Sequence, residues 1–560
     1  MTQSRSTTYD VAIVGSGAGG GMAAYQLTKA GAKVVMLEAG SWWDNADPKY
    51  SAMLKMPYDS PRRGASTPDR PFGEWDACIG GWTIPGEPYT KAEGTKFDWW
   101  RGRMLGGRTN HWGRISLRFG PDDFRRKTLD GMGDDWPIGY DDLKPWYDEV
   151  DRLIGIFGSL ENLPNDPDGI FHPAPAPRYY EHLVKRTSDR MGITCIPARL
   201  SVITKPLNGR APCHYCGQCN RGCMTNSNFS SPNVLIFPAM RTGRLTLLTD
   251  AMVREVMTGP DGRATGVSYI DKRTGEDREV RARIVVLAAS ACESARILLN
   301  SASEQHPAGL ANSSGQVGRN LMDSTGANIG AYVPALRDRP RYNEDGHTSN
   351  HLFIPWWGHE AQEKGELDFP RGYHFEIGSG FREPGSWVAG DFQGYGEAVK
   401  AEARSAYGSY IGFALRGEMV PNEHCYMEID KDVKDKWGIP VAKFHWKWSE
   451  NELNQVRHGL ETAKKIFANM GADPGELPSP EEAILKGGEI IHEVGTTRMG
   501  DDPGTSVTNE WGQTWDCKNL FIMDGGVFAS NPHKNCTLTI LTLAMRNSSW
   551  LAGQIQQGSL

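Results

Sequence analysis

The chain has 560 residues, long enough for at least two domains or for one large α/β enzyme with a second domain inserted, and ample to bury a cofactor. Its 61 Lys and Arg against 68 Asp and Glu give a net charge of −7, and the basic residues are dispersed, which excludes the basic stripe of a nucleic-acid-binding protein. Residues 1–10 carry no apolar signal core and no apolar run approaches bilayer-spanning length, so neither a membrane span nor an export signal of the chain's own is expected.

Tyr9–Val14 reads as a buried parallel strand, Gly15-Ser16-Gly17-Ala18-Gly19-Gly20 as a turn, and the stretch from Gly21 as a helix. In such a βαβ start Gly15 permits the tight turn, Gly17 lets backbone approach a pyrophosphate, and Gly20 allows close helix packing, with helix amides facing phosphate oxygens. A second strand, Lys33–Leu37, ends at Glu38, where an acid binds ribose hydroxyls and favours FAD or NAD over NADP. Residues 46–99 are rich in Pro, Gly, Trp and Asp without periodicity, the texture of an excursion covering an active site. Tryptophans in loop-like contexts (Trp75, Trp82, Trp99, Trp100, Trp356, Trp357, Trp387) suit core packing first and stacking on sugar rings second. In the tract 101–114, Gly106-Gly107 again suggests backbone held against a cofactor.

Four cysteines follow in Cys213-x2-Cys216-x2-Cys219-x3-Cys223, a spacing that lets thiolates from one loop surround a cuboidal iron-sulfur cluster. Met224 stands where ferredoxins often carry proline, which leaves Fe3S4 and Fe4S4 both open. Zinc is the main competitor, although structural zinc usually draws on two separated pairs; paired or unligated thiols are the blander reading. Cys78, Cys195, Cys292, Cys425, Cys517 and Cys536 are scattered singly and read as small buried hydrophobes. A flavin-type nucleotide fold and a cluster on one chain imply electron export.

Leu245–Leu248, Val253–Val256, a hairpin at Pro260–Gly262 and the buried strand Arg283–Ala289 read as completing the nucleotide unit's sheet. Residues 330–480 change texture. Alternating tracts at Tyr373–Ile377, Tyr410–Leu415 and His424–Ile429 predict a mostly antiparallel sheet with one solvated or substrate-facing side, and 450–470 carries helix periodicity. Near the C-terminus, His492 stands beside a Gly-Thr turn, Asn519–Met523 is a buried strand ending in Asp524, and Asn531–Ile540 runs into a terminal helix.

Taken together, Gly15–Gly20 with Glu38, Gly106-Gly107 before His111-Trp112, Val317–Asp323, His492-x-x-Gly-Thr and Asn535-x-Thr-Leu-Thr resemble the glucose-methanol-choline (GMC) flavoprotein oxidoreductases, in the family's order and over the whole chain. The cysteine ladder is similar to that of sugar dehydrogenases holding FAD and an iron-sulfur cluster, such as glucoside 3-dehydrogenases, FAD glucose dehydrogenases and fructose dehydrogenases. Cluster ligands there follow C-x5-C-x3-C, which Cys213, Cys219 and Cys223 keep, with Cys216 a fourth ligand or a bystander.

The resemblance implies an α/β fold, α+β overall: a Rossmann-like FAD-binding domain (1–45, 100–125, 225–330 and 488–560) interleaved with a substrate domain (331–487) on a mostly antiparallel sheet. Residues 46–99 would cover the active site, and 126–224 would form a linker region carrying the cluster loop 213–223. It implies FAD contacts at Gly15, Gly17, Gly20, Glu38, Gly106, Gly107, Asn110, His111, Val253, Asp524 and Thr537. It places the catalytic pair on His492, as base for the substrate hydroxyl, and Asn535, bonded to the same oxygen; His533 is a wall residue or a competing base. Pyranose oxidases of this family attach FAD through a Thr-His-Trp histidine; Asn110 replaces that threonine, so His111 is expected to make a noncovalent contact, with covalent attachment the alternative. Asp435–Pro440 and Gly318–Asn320 are structural turns.

The implied reaction is oxidation of a secondary alcohol on a sugar or glycoside, C3 of a glucoside favoured, with electrons leaving through the cluster to a haem or quinone acceptor. A small partner subunit would carry the export signal and place the complex in the periplasm; the sequence alone equally permits the cytoplasm. The alternatives are a pyranose-oxidase-like enzyme using oxygen and a noncatalytic flavin and cluster carrier.

Overall fold

The structure is a computed structural model that describes residues 8–51, 78–217, 219–339, 352–379 and 392–560; Trp75, Trp387 and most of the 46–99 excursion lie outside them. Tyr9–Val14 and Val34–Leu37 are apolar on both faces, as strands covered by helices on either side must be, and they pair in parallel with Val11 opposite Val34. They sit in a seven-stranded sheet ordered Ala251–Thr258, Ala264–Asp271, Glu276–Leu287, Tyr9–Val14, Val34–Leu37, Leu245–Leu248, with Leu520–Ile522 also pairing Glu276–Leu287. The two pairings made by Ala264–Asp271 are antiparallel and the rest are parallel.

The first helix spans Ala18–Lys29, three residues earlier than the glycine run suggested. Glycines disfavour helix in isolation, but tertiary contact overrides that preference here. A Cβ on Gly19 would fall 1.6 Å from the Met523 carbonyl oxygen, and one on Gly20 2.0 Å from that of Gly15, so the turn must be bare where it packs. The terminal helix Thr537–Gln557 lies against this first helix.

A five-stranded sheet, antiparallel throughout, runs Thr325–Tyr332, Tyr410–Gly417, Tyr373–Ser379, Leu352–Ile354, Ile196–Pro197. Helix Glu450–Asn469, opened by a reciprocal Ser449–Glu452 cap, buries Val456, Leu460, Ala463, Ile466 and Phe467 in a core shared with that sheet.

The alternating tract His424–Ile429 does not join it. Tyr426–Lys434 forms a hairpin with Pro440–His445, which pairs in parallel with Thr90–Lys91 in a separate three-stranded sheet. Alternation specifies a buried face without naming the neighbouring strand. The neighbour is fixed by the turn, where the Asp435 carboxylate accepts the amides of Trp437 and Ile439, and by Phe444, which stacks on Phe97 with centroids 4.3 Å apart. The six scattered cysteines are buried. Among the described residues no helix is long and apolar enough to cross a membrane.

Candidate active site

A cavity of about 560 Å³, within the range of cofactor sites, is lined by residues from both large sheets. Gly15, Gly17, Glu38, Gly107, His111, Val253, Asp524 and Thr537 line it, whereas Gly20, Gly106 and Asn110 stand behind its wall. Gly15 has φ +96°, and a Cβ there would lie 2.3 Å from the Ala288 carbonyl oxygen; the corresponding position at Gly17 is open space. That bare turn and the adjoining helix N-terminus form a cradle suited to a pyrophosphate.

Ser16 ties the fingerprint together, accepting the Gly106 amide at 2.8 Å while its hydroxyl and amide both donate to Glu38 Oε2. Burial raises the Glu38 pKa against these bonds. Asp524 accepts from Ser294 Oγ and the Gly526 amide, and burial pushes its carboxyl up to about 6. Asn110 is a packing residue in its contacts: its amide donates to the Leu105 carbonyl at 2.8 Å and accepts from Asn45. His111 Nε2 accepts the Trp100 indole N–H at 3.1 Å.

At the other end of the cavity His492 and Asn535, 43 residues apart in sequence, come together with His492 Nε2 3.4 Å from Asn535 Nδ2. The base is held from behind. Asp323 Oδ1 accepts the His492 amide at 2.9 Å, and its Oδ2 accepts Gly488 at 2.8 Å, so one buried carboxylate pins the segment that presents the imidazole. Ser324 Oγ lies 2.9 Å from His492 Nδ1. Because Nε2 faces an amide donor, Nδ1 carries the proton and donates to Ser324, leaving the Nε2 lone pair toward the cavity.

Burial pushes the His492 pKa down to about 3; the Glu376 carboxylate opposes this, and Arg416 and Arg108 add to it. The neutral imidazole is therefore the resting form. Asn535 Oδ1 is buried and has no hydrogen-bond partner among the described residues. His533 is not on the wall: its Nδ1 is 3.2 Å from His374 Nδ1 and its Nε2 3.5 Å from Lys534 Nζ.

Cys213, Cys216, Cys219 and Cys223 line one small cleft. Among the described residues no three His, Cys, Asp or Glu side chains converge as ligands of a single ion. A cluster does not require that convergence, since each thiolate binds its own iron and the donors surround a volume. The donors are those of a thiolate-bound cluster, though the cleft encloses only about 10 Å³, and a buried cation stands beside them. Buried Arg114 lies close enough for Cys219 and Cys223 to raise its pKa against the burial that lowers it, and its Nη1 has no partner among the described residues. Arg114 Nη2 donates to the Cys219 carbonyl at 2.9 Å and to that of Asn110 at 3.3 Å, so one side chain links the cysteine loop to the tract that lines the cofactor cavity.

Sequence reasoning passed over Ser16, Asp323, Ser324, Glu376 and Arg416. Asp323 ends the Val317–Asp323 motif, of which only Gly318–Asn320 reads structurally, as a turn, and Glu376 and Arg416 lie in strands whose alternation marks a face without saying what it faces.

Two models described as GMC oxidoreductase match residues 18–325 and 421–544. The chain is similar to 2-methyl-1,2-propanediol dehydrogenase of Mycolicibacterium austroafricanum, 31% identical over 99% of this chain and 96% of that one. It is 26% identical to the fructose dehydrogenase large subunit of Gluconobacter japonicus over 98% of both chains. Its fold matches pyridoxine 4-oxidase from Mesorbium loti with TM-score 0.65 at 16% identity, over 97% of this chain and 99% of that one. With His492, Asn535 and most of the cavity lining falling within the matched segments, the chain belongs to the GMC oxidoreductases, FAD-dependent enzymes that act on alcohols or sugars.

Proposed function

We propose that the enzyme oxidises a secondary alcohol of a sugar or glycoside, with C3 of a glucoside favoured, and passes the electrons through a cysteine-bound iron-sulfur cluster to a partner. The reading is carried by the meeting of His492 and Asn535 on the cavity wall. FAD, held in the cavity, would supply the hydride acceptor. His492 Nε2 takes the hydroxyl proton, Asn535 Nδ2 holds the same oxygen in line, and the nearby Glu376 charge stabilises the imidazolium that forms. Gly15, Gly17, Glu38, Val253, Asp524 and Thr537 would hold the cofactor, with His111 as a noncovalent neighbour. A Gly15→Val substitution, which forces the turn to shift because at φ +96° its Cβ would lie 2.3 Å from the Ala288 carbonyl oxygen, is expected to abolish flavin binding, read by absorbance of the monodisperse fraction after gel filtration.

The cysteine spacing, the shared cleft and the Arg114 link support a cluster on Cys213, Cys216, Cys219 and Cys223, which would supply a one-electron outlet. Both named relatives act, by their names, on hydroxyl-rich donors, and one is called a large subunit. That supports a polyhydroxylated substrate and a small partner subunit that brings the complex to the periplasm, with a haem or quinone acceptor.

The test is EPR on anaerobically purified protein before and after methyl glucoside, with iron and zinc measured on the same sample. The expected result is iron in cluster stoichiometry and a signal that changes with the glucoside. Cys219→Ser should lose iron while the glucoside still bleaches the flavin. A second reading, an oxidase using oxygen, draws on the tightness of the cleft that the four cysteines line, about 10 Å³. Zinc or no metal, with peroxide released in air, would establish it.

A further inference from the structure

Glu376 and Arg416 occupy the cavity wall beside His492 and Asn535, and nothing in the catalytic step uses both. They come from neighbouring antiparallel strands: His374 faces Arg416 and Glu376 faces Ala414 in the register, which puts Glu376 and Arg416 on one face along a diagonal. Glu376 is 5% exposed. Its Oε1 accepts Asn535 Nδ2 at 3.0 Å and lies 3.4 Å from His374 Nε2. Its Oε2 stands 3.7 Å from Arg416 Nε, beyond hydrogen-bond length, while Arg416 Nη1 is anchored on the Leu415 carbonyl at 2.8 Å.

A charged acceptor and a charged donor presented side by side on the cavity wall suit a group that both donates and accepts. A hydroxyl does this. A carboxylate would meet Glu376, and an ammonium would meet Arg416, each with repulsion. The carboxylate is permanent: burial works against its charge, but Arg416, His374 and the Asn535 amide outweigh it and hold the pKa at about 2. Because Asn535 Nδ2 touches both Glu376 and His492, the carboxylate flanks the place where the carbinol oxygen sits during proton transfer.

We propose that Glu376 and Arg416 together bind the hydroxyl on the carbon next to the one oxidised, Glu376 accepting and Arg416 donating, so that the site selects vicinal diols within polyols and glycosides. This rests on the alcohol-oxidising site described above and deepens it from an alcohol to an alcohol with a hydroxyl-bearing neighbour. The chemical step is unchanged; only the second hydroxyl gains partners.

Anaerobic flavin bleaching with matched donors tests it: trans-1,2-cyclohexanediol against cyclohexanol, and methyl glucoside against its 2-deoxy and 4-deoxy counterparts. Wild-type enzyme is expected to favour the hydroxyl-bearing member in kcat/KM by about 10–100-fold, the scale of a hydrogen bond to a charged group. Glu376→Gln should reduce that ratio to within about threefold, the diol losing more than cyclohexanol, on top of the loss both share when the imidazolium loses the Glu376 charge, with the flavin spectrum unchanged. Arg416→Gln should reduce the same ratio and stands in if the first variant does not fold. Equal losses on both members of a pair, or no preference in the wild type, would overturn the assignment by reducing Glu376 to a support for Asn535. If the cyclohexanediol pair shows the effect while no glucoside bleaches the flavin, the sugar reading fails and the Glu376 assignment stands.

Discussion

Replacing His492 by Ala is expected to lower kcat/KM for alcohol oxidation by roughly 10²–10⁴-fold, the usual contribution of a positioned general base, with FAD content unchanged. Asp323 holds the His492 backbone amide and Ser324 the ring Nδ1, both from outside the cavity lining, so truncating the side chain deletes the base and leaves the backbone anchor in place. The pH profile makes the expectation sharper. A group with its folded-state pKa depressed to about 3 is unprotonated, and thus competent as a base, at every pH above that value; competence is lost only as pH falls through it. Wild-type kcat/KM, measured by stopped-flow flavin bleaching, should therefore show no acid limb between about pH 5 and 8. A limb near 6.5, the ordinary histidine value, or a loss below threefold in His492→Ala, would remove His492 from the role of base.

The sequence announces the parts of this molecule that are local and leaves silent those that depend on distant pairing. Strand, glycine turn, helix and acid fall within Tyr9–Glu38, so spacing alone identifies the nucleotide unit and, with the C-terminal motifs, the family and fold class. Even there propensity points to a helix start at Gly21 and the helix begins at Ala18, because Gly19 and Gly20 are helical through contacts with Met523 and Gly15 that a propensity argument does not contain. His492 and Asn535 stand out as motifs, and the fold brings their side chains within 3.4 Å. Glu376 does not stand out. It is 159 residues from Asn535, in a strand where an acid between apolar residues reads as facing water, and only the pairing of Tyr373–Ser379 with Tyr410–Gly417 shows that its face is a cavity shared with Arg416. The cysteine ladder is an intermediate case. Its donor set is legible from spacing, whereas the buried guanidinium of Arg114 beside it comes from a tract 105 residues from Cys219.

The largest stability effect lies under the catalytic loop. Asp123 is fully buried and accepts from Gly120 and Lys534 through Oδ2, both at 2.7 Å, and from Arg126 at 3.0 Å and Asn165 at 2.9 Å through Oδ1. Lys534, also fully buried, immediately precedes Asn535, and its Nζ otherwise approaches only His533 Nε2 at 3.5 Å among the described residues. Asp123→Ala leaves that ammonium in the interior without its hydrogen-bonded counter-charge, with only the more distant Asp166 and Glu418 carboxylates acting on it, which costs about 3–5 kcal/mol. The midpoint of urea unfolding of the FAD-bound enzyme, followed by tryptophan fluorescence, reads the loss. The wild-type dependence on pH carries a definite sign. Burial favours the neutral acid, but Lys534 and Arg126 outweigh it and lower the Asp123 pKa, so its contribution is complete above the unfolded carboxylate value and is lost as pH falls through the lower folded one. Asp123→Ala should flatten that acid-side decline. The decisive comparison is Asp123→Ala with Lys534→Met: deleting both charges removes the uncompensated ammonium, so the double variant should be more stable than Asp123→Ala alone, a coupling that independent sites do not show. Simple additivity of the two losses would mean that Lys534 finds another partner when Asp123 is gone, and that the loop carrying Asn535 is held by its packing and not by this ion pair.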